Sequence, residues 1–188
     1  YSIVDIAGTN RLLREVLDNA AGAIFGMAST YQHRLGESRT RSVQDNQREE
    51  KKTRVGITMF GVTTPCVDRV RRHLEENYSV EVYVFHATGH GGKAMERLVE
   101  DGCLDAILDI TTTEICDLIA GGTMSCESSR LEMTLKRGIP NIISVGATDM
   151  VNFGPIDTVP RHYRDRKLLV HNPSVTLMRT SAAECREG

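Results

Sequence analysis

The sequence predicts an α/β fold, a parallel sheet with helices on both faces, and two patterns carry that reading. From Arg54 onward, short β-branched runs alternate with stretches of 3.6-residue apolar periodicity, separated by Gly- and Thr-rich loops. Such alternation pairs strands in parallel through crossovers, which gathers the carboxyl ends of the strands on one edge. Composition agrees: of 188 residues, 40% are apolar and 26% charged, enough to build a core.

Taken in order, residues 2–7 (SIVDIA) read as a strand. Residues 10–28 read as a helix, because Leu12, Leu13, Val16, Leu17, Ala20, Ile24 and Met27 share a face and Thr9 or Asn10 can cap it. Over 33–53 only Leu35 and Val43 are large aliphatics, which predicts a mobile linker or surface excursion. Glu37, Asp45, Glu49 and Glu50 interrupt its basic residues and weaken the alternative of a basic partner-binding arm. A chain opening on Tyr1 inside a strand-like run reads as a piece of a longer protein. The expected organisation is a strand and helix ending a preceding subdomain over 1–30, a polar linker or insert over 31–53, and an α/β subdomain over 54–188.

Within that subdomain, 54–60 reads as a strand and 65–77 as a helix carrying Val67, Val70 and Leu74. Residues 80–85 alternate as a strand with Val80, Val82 and Val84 on one side. A helix over 92–101 turns Met95, Leu98 and Val99 inward and closes at Gly102. Residues 104–110 form the next strand, and a helix from Thr112 or Thr113 to Ala120 stops at Gly121 and Gly122. A helix over 127–137 ends at Gly138 and Pro140. Residues 141–145 (NIISV) read as a buried strand, and 167–170 as a last short strand before a C-terminal helix.

Net charge is 23 − 25 = −2, which argues against bulk electrostatic binding of nucleic acid. Cysteines at 66, 103, 116, 126 and 185 show no CxxC or Cys/His spacing, so neither a disulfide framework nor a zinc site is indicated. Their pattern fits a reducing, cytoplasmic compartment. No apolar run approaches the roughly 20 residues that span a membrane.

The loops share a vocabulary: FGVTTPC (60–66), HATGHGGK (86–93), DITTTE (109–114), VGATDMVNFG (145–154) and HNPSVT (171–176). Glycine lets backbone amides approach an anion, threonine adds a hydroxyl, and a helix start favours negative charge. Each loop alone is explained by capping, and Thr111 with Glu114 fits a capping box. Five on one edge favour a ligand. The candidate ligand-binding residues are Gly61, Thr63, Thr64, Thr88, Gly89, Gly91, Gly92, Thr111, Thr112, Thr113, Gly146 and Asn152. Their amides and hydroxyls would cradle a nucleotide or other phosphorylated small molecule, with Asp109 or Asp149 carrying Mg²⁺ through water. HATGHGGK also fits G-x-G-x-x-A through Gly89, Gly91 and Ala94, with Asp109 near the place of a ribose-binding acid. His86, Ala87 and Thr88 lengthen that turn, which counts against a nicotinamide or flavin role.

Two other function classes stay open. An enzyme acting on a small acidic or phosphorylated metabolite would use Cys66, at a helix start, with His86, His90 or His171 as base. The ordinary reading of Cys66 is a small buried hydrophobe. A metal set from His86, Asp109, Glu114, Asp149 and His171 lacks any i, i+4 pair, so no metal site is assigned. The third class is a dimeric interaction protein, with the helix over 10–27 packed on a second copy.

Taken together, GITMFGVTTPCVDRVRRHLE, VFHATGHGGKAMERL, LDITTTEICDLIAGG, SVGATDMVNFGPIDTVP and HNPSVTLMRT resemble the family of the tomato mosaic virus resistance protein's ATP-binding inhibitory domain. That family has many uncharacterised bacterial and fungal members. VDIAGTNRLLREVLDNAAGAIFGM is similar to the part joining the family's two α/β subdomains. The resemblance implies a Rossmann-like (flavodoxin-like) subdomain from about Arg54, and ATP, with Mg²⁺, as ligand. The plant member binds a viral replication protein, which implies a protein partner in that setting.

Overall fold

The computed structural model describes residues 10–44 and 52–187. The strand read over 2–7 lies outside them. The chain divides into two units, Tyr1–Glu49 and Glu50–Gly188.

In the first unit, helix α1 spans Arg11–Gln44. Asn10 caps it: its Oδ1 accepts the Leu13 N–H at 2.9 Å and its carbonyl accepts the Arg14 N–H at 3.0 Å. The helix therefore runs on through residues 33–44, where composition predicts a linker. Extending an existing helix avoids the cost of nucleating a new one. Residues 45–51 lie outside the described residues. Ile24, Phe25 and Met27 are exposed, Phe25 at 75%.

The second unit begins with β1 (Thr53–Met59), a 3₁₀ turn over Gly61–Thr63 and α2 (Thr64–Asn77), with Pro65 in its first turn. Next come β2 (Val80–His86), α3 (His90–Glu100), β3 (Ala106–Thr111) and α4 (Thr113–Ala120). The short α5 (Glu132–Arg137) leads into β4 (Asn141–Gly146). These strands form a parallel sheet in the order β2-β1-β3-β4. Val55, Ile57 and Val67 fill the core under α2, and Met95, Val99, Leu104 and Ile107 fill the core under α3. Helices thus cover both faces, a Rossmann-like α/β arrangement. Each fully buried aliphatic here contributes about 1.5–3 kcal/mol. Among the described residues no helix is long and apolar enough to cross a membrane.

Three readings are corrected. Strand β4 is not buried: it is an edge strand, with Val145 80% and Ile142 67% exposed. A short apolar run does not reveal whether its strand is central or at an edge. Helix α5 starts five residues later than expected, because Leu131 takes a left-handed conformation (φ 78°) and interrupts the segment. The HNPSVT segment is no loop of the ligand edge. It is the hairpin between β6 (Leu168–Asn172) and β7 (Val175–Arg179), closed by an Asn172 Oδ1 contact from the Ser174 N–H at 2.9 Å. With β5 (Met150–Phe153) these strands form a separate antiparallel sheet in the order β5-β7-β6. Val151, Phe153, Val159 and Met178 pack there with Ala120 of α4. The C-terminal helix is the short α6 (Glu184–Glu187).

Candidate functional site

The chain leaves β1 toward β2 on one side and returns across it to β3 on the other, so the crossovers diverge between β1 and β3. The carboxyl ends of those two strands are the switch point at which open α/β sheets bind ligands. Four of the five loops meet on this edge. The Thr63 and Thr111 hydroxyls lie 2.7 Å apart, and the Thr111 N–H donates to Thr58 Oγ1 at 2.9 Å. The Thr112 hydroxyl donates to the Ser144 carbonyl at 3.0 Å, and its N–H to Gly146 O at 3.1 Å.

Beneath the edge lies a buried charged network. Strand β3 alternates so that Ile107, Asp109 and Thr111 are buried. Asp109 Oδ1 accepts the Thr58 hydroxyl at 2.7 Å, and both its oxygens accept Arg130, at 2.7 and 2.9 Å. Arg130 Nε donates to Glu114 Oε2 at 3.0 Å. The other Glu114 oxygen accepts the Gly89 N–H at 2.6 Å and the Gly92 N–H at 3.2 Å. Glu114 and Asp109 are 0% and 1% exposed, so this arginine joins two fully buried carboxyl groups. Burial opposes the Arg130 charge, but hydrogen bonds and charge from Asp109 and Glu114 outweigh it and raise its pKa. Glu96 sits at the margin, 3.9 Å from Arg130; its pKa is raised chiefly by burial. It accepts the Leu131 N–H at 2.7 Å, which pins the left-handed turn that delivers Arg130 inward.

A second buried carboxyl, Asp117 of α4, ties this helix to β5. It accepts the N–H groups of Met124 and Asn152, both at 2.8 Å, and the Asn152 side-chain amide at 3.2 Å. Burial pushes Asp117 up to about 6 even against those hydrogen bonds.

The geometry gives each candidate residue a place. Gly89 and Gly92 do present amides to an anion, but the anion is Glu114. Gly92 must lack a side chain, since a Cβ there would overlap Glu114 and Arg130. Gly91 lies against the His86 carbonyl, and the half-buried Thr88 is 3.4 Å from the same oxygen. Thr113 accepts the Asn152 amide at 3.3 Å, so Asn152 faces Asp117 and Thr113. Asp109 is buried and accepts hydrogen bonds from Thr58 and Arg130. Asp149 is exposed and pairs with Arg179 at 3.2 Å. Among the described residues no group of three His, Cys, Asp or Glu is arranged to hold a metal. Cys66 is exposed rather than buried, and no histidine bonds its thiol among the described residues. His171 is exposed on the β6 strand of the other sheet.

What stays open is the start of α2. The Thr63 and Thr64 hydroxyls contact the Phe60 carbonyl at 3.0 and 3.1 Å, closing the turn on itself. The N–H groups of Gly61 and Val62, both exposed, have no acceptor among the described residues, as expected at a helix start. Nothing lies within 4 Å of a Cβ built on Gly61. Beside it the rings of Phe60 and His86 stack, with centroids 5.6 Å apart.

Thr58, Glu96, Asp117 and Arg130 escape sequence reasoning. Thr58 reads as one more strand residue, and nothing in CESSRLEM separates Arg130 from a surface arginine.

The fold and edge define a parallel α/β domain whose switch-point loops are braced from below by an arginine–carboxylate network. Comparison with known proteins places it: the C-terminal domain of the uncharacterised protein family UPF0261 matches residues 52–188, and the N-terminal domain of that family matches residues 1–33. The chain belongs to this family. It is 49% identical over 184 residues to the ToMV resistance protein Tm-1(GCR237) of Solanum lycopersicum, covering 97% of this chain and 23% of that protein. A UPF0261 protein of Mesorhizobium japonicum is 49% identical over 185 residues, covering 98% of this chain and 43% of its own length. One from Clostridium tetani is 46% identical over 184 residues, covering 98% and 42%. The chain thus spans less than half the length of these relatives.

Proposed function

We propose that this chain is a binding module for a phosphorylated small molecule, with ATP, alone or with Mg²⁺, as the ligand that the family resemblance favours. One observation carries the reading: the 3₁₀ turn that leads into α2 at the β1/β3 switch point, where the N–H groups of the exposed residues Gly61 and Val62 have no acceptor among the described residues. The turn fits a phosphate, two amides with clear space around Gly61, and the Phe60–His86 pair offers a ring surface for a base. Calorimetric titration with Mg-ATP, and with tripolyphosphate as the phosphate-only probe, tests it. Gly61→Asp adds a carboxylate where there is room and should weaken binding on the order of tenfold or more. Absence of heat at millimolar ligand, or unchanged affinity in Gly61→Asp, defeats the reading.

A second reading, of a cytoplasmic homodimer, draws on α1, where Ile24, Phe25, Met27 and Tyr31 are exposed together. Light scattering of the chain at micromolar concentration decides it: a dimer that Phe25→Glu dissociates supports this reading, and a monomer ends it.

A further inference from the structure

We infer that Cys116 and Cys185 form a reversible dithiol–disulfide pair, oxidised by a low-molecular-weight disulfide of the glutathione class. The geometry gathers them on one atom. The carbonyl oxygen of Thr148 accepts the Thr180 hydroxyl at 2.9 Å and the Cys116 thiol at 3.4 Å, while the Cys185 sulfur lies 3.9 Å from it. A shared acceptor bounds the separation of the two sulfurs, which a disulfide must bring to about 2 Å. Both cysteines line one cavity of about 110 Å³ with Ile119, Ile143 and Val145.

Cys185 is held in place although it lies on the C-terminal turn. Ser181 and Glu184 form a capping box, with the Ser181 N–H on Glu184 Oε2 at 2.6 Å and the Glu184 N–H on Ser181 Oγ at 3.3 Å. Arg166 then grips both Glu184 oxygens, at 3.0 and 2.9 Å, and its hydrogen bonds pull the carboxyl down to about 2. The two thiols differ in the way an exchange pair needs. Cys185 is exposed and open to an outside disulfide, while Cys116 is half-buried and burial pushes its thiol up to about 11, so Cys185 is the first to react. Cys126 instead bonds the Glu114 carbonyl at 3.3 Å, and no other two thiols share an acceptor among the described residues.

The chemistry balances as two exchanges. The Cys185 thiolate attacks one sulfur of the small disulfide, breaking its S–S bond and expelling a thiolate that takes up a proton. Cys116 then gives its proton to solvent and attacks Cys185 Sγ, breaking the mixed disulfide and expelling the second thiolate, which takes up a proton. The protein loses two electrons and two protons, and the small disulfide gains them. The new bond staples α4, which carries Thr113, Glu114 and Asp117, to α6.

The test equilibrates the native chain across ratios of oxidised to reduced glutathione, then alkylates, digests and maps it by mass spectrometry. The expected product is monomeric, lighter by two hydrogens, carries a Cys116–Cys185 cross-linked peptide, and reverts with dithiothreitol. Cys116→Ser should accumulate a glutathione adduct on Cys185 on the order of tenfold above wild type, since only a neighbouring thiol resolves it. Cys185→Ser should lose the cross-link. Thiols that stay alkylatable at the most oxidising ratio, a cross-link to another cysteine or another chain, or equal adduct in wild type and Cys116→Ser each overturns the inference.

Discussion

The starts of α2 and α3 look alike in sequence and do different work. Both follow a parallel strand, both are rich in Gly and Thr, and both point backbone amides off the carboxyl edge of the sheet. At α3 the anion is built in: Glu114 reaches across from α4 to take the Gly89 and Gly92 N–H groups, and Arg130 holds it there. At α2 the N–H groups of the exposed residues Gly61 and Val62, in the 3₁₀ turn leading into the helix, have no acceptor among the described residues. A glycine-rich helix start therefore announces an anion without saying whether that anion is a ligand or a neighbouring carboxylate.

The largest expected effect breaks the closed end of that comparison. Arg130→Met fills similar space but leaves Asp109 and Glu114 buried without their cation, which costs about 3–5 kcal/mol. Urea unfolding monitored by circular dichroism should show the extrapolated unfolding free energy fall by that amount. A change below 1 kcal/mol would mean that the network relaxes to solvent. Next in size is a matched pair. Gly92→Ala forces a methyl group into Glu114 and Arg130 and should cost roughly 2–3 kcal/mol, whereas Gly61→Ala meets nothing within 4 Å and should stay within about 0.5 kcal/mol. Equal costs at the two glycines would erase the distinction between a filled and an open helix start.

Most of the sheet was legible because its signals are local. Val80 to Phe85 alternates, Gly102 and Gly121 stop helices, and Asn10 caps one, so β1, β2, β3, α2, α3 and α4 fall within a few residues of their expected bounds. What stayed hidden depends on distant partners. The network joins Thr58, Asp109, Glu114 and Arg130, and the two pairs Asp109–Arg130 and Thr58–Asp109 are 21 and 51 residues apart in sequence. No window contains both members of such a contact. In sequence, strand β5 reads as part of a loop because Asn152 and Gly154 dilute a four-residue run, and its burial comes from α4 and β7, not from its own pattern. The threonines read in sequence as polar groups at the edge, and several of them bond to neighbouring strands. Thr111 and Thr112 tie this edge to β1 and β4 through hydroxyl bonds to the Thr58 and Ser144 carbonyls.

Asp117 offers a smaller and pH-dependent handle on the same bracing. Its folded-state pKa lies above the unfolded one, so the folded protein binds more protons between about pH 4 and 6. Stability from this group is therefore fully present below that window and is lost as pH rises through about 6. Asp117→Asn removes the titration while keeping one acceptor. The stability advantage of wild type over this variant should be larger at about pH 4 than at about pH 7, by up to about 2 kcal/mol. Parallel urea curves at the two pH values read the difference directly, and a pH-independent gap would place Asp117 in contact with solvent.

The smallest effect sharpens the comparison most, because it converts the closed helix start into an open one. Glu114→Ala removes the carboxylate and leaves the Gly89 and Gly92 amides facing a pocket beside Arg130, a cation with one partner missing. An anion small enough to enter should bind there and return part of the lost stability. Stabilisation by a ligand follows its concentration relative to its dissociation constant, so formate or acetate at several times that constant should restore about 1 kcal/mol. Chloride at equal ionic strength controls for screening. Rescue in Glu114→Ala and none in wild type would show that the α3 start is an anion site whose occupant is the protein's own side chain. Equal response in both would trace the effect to the open α2 turn instead.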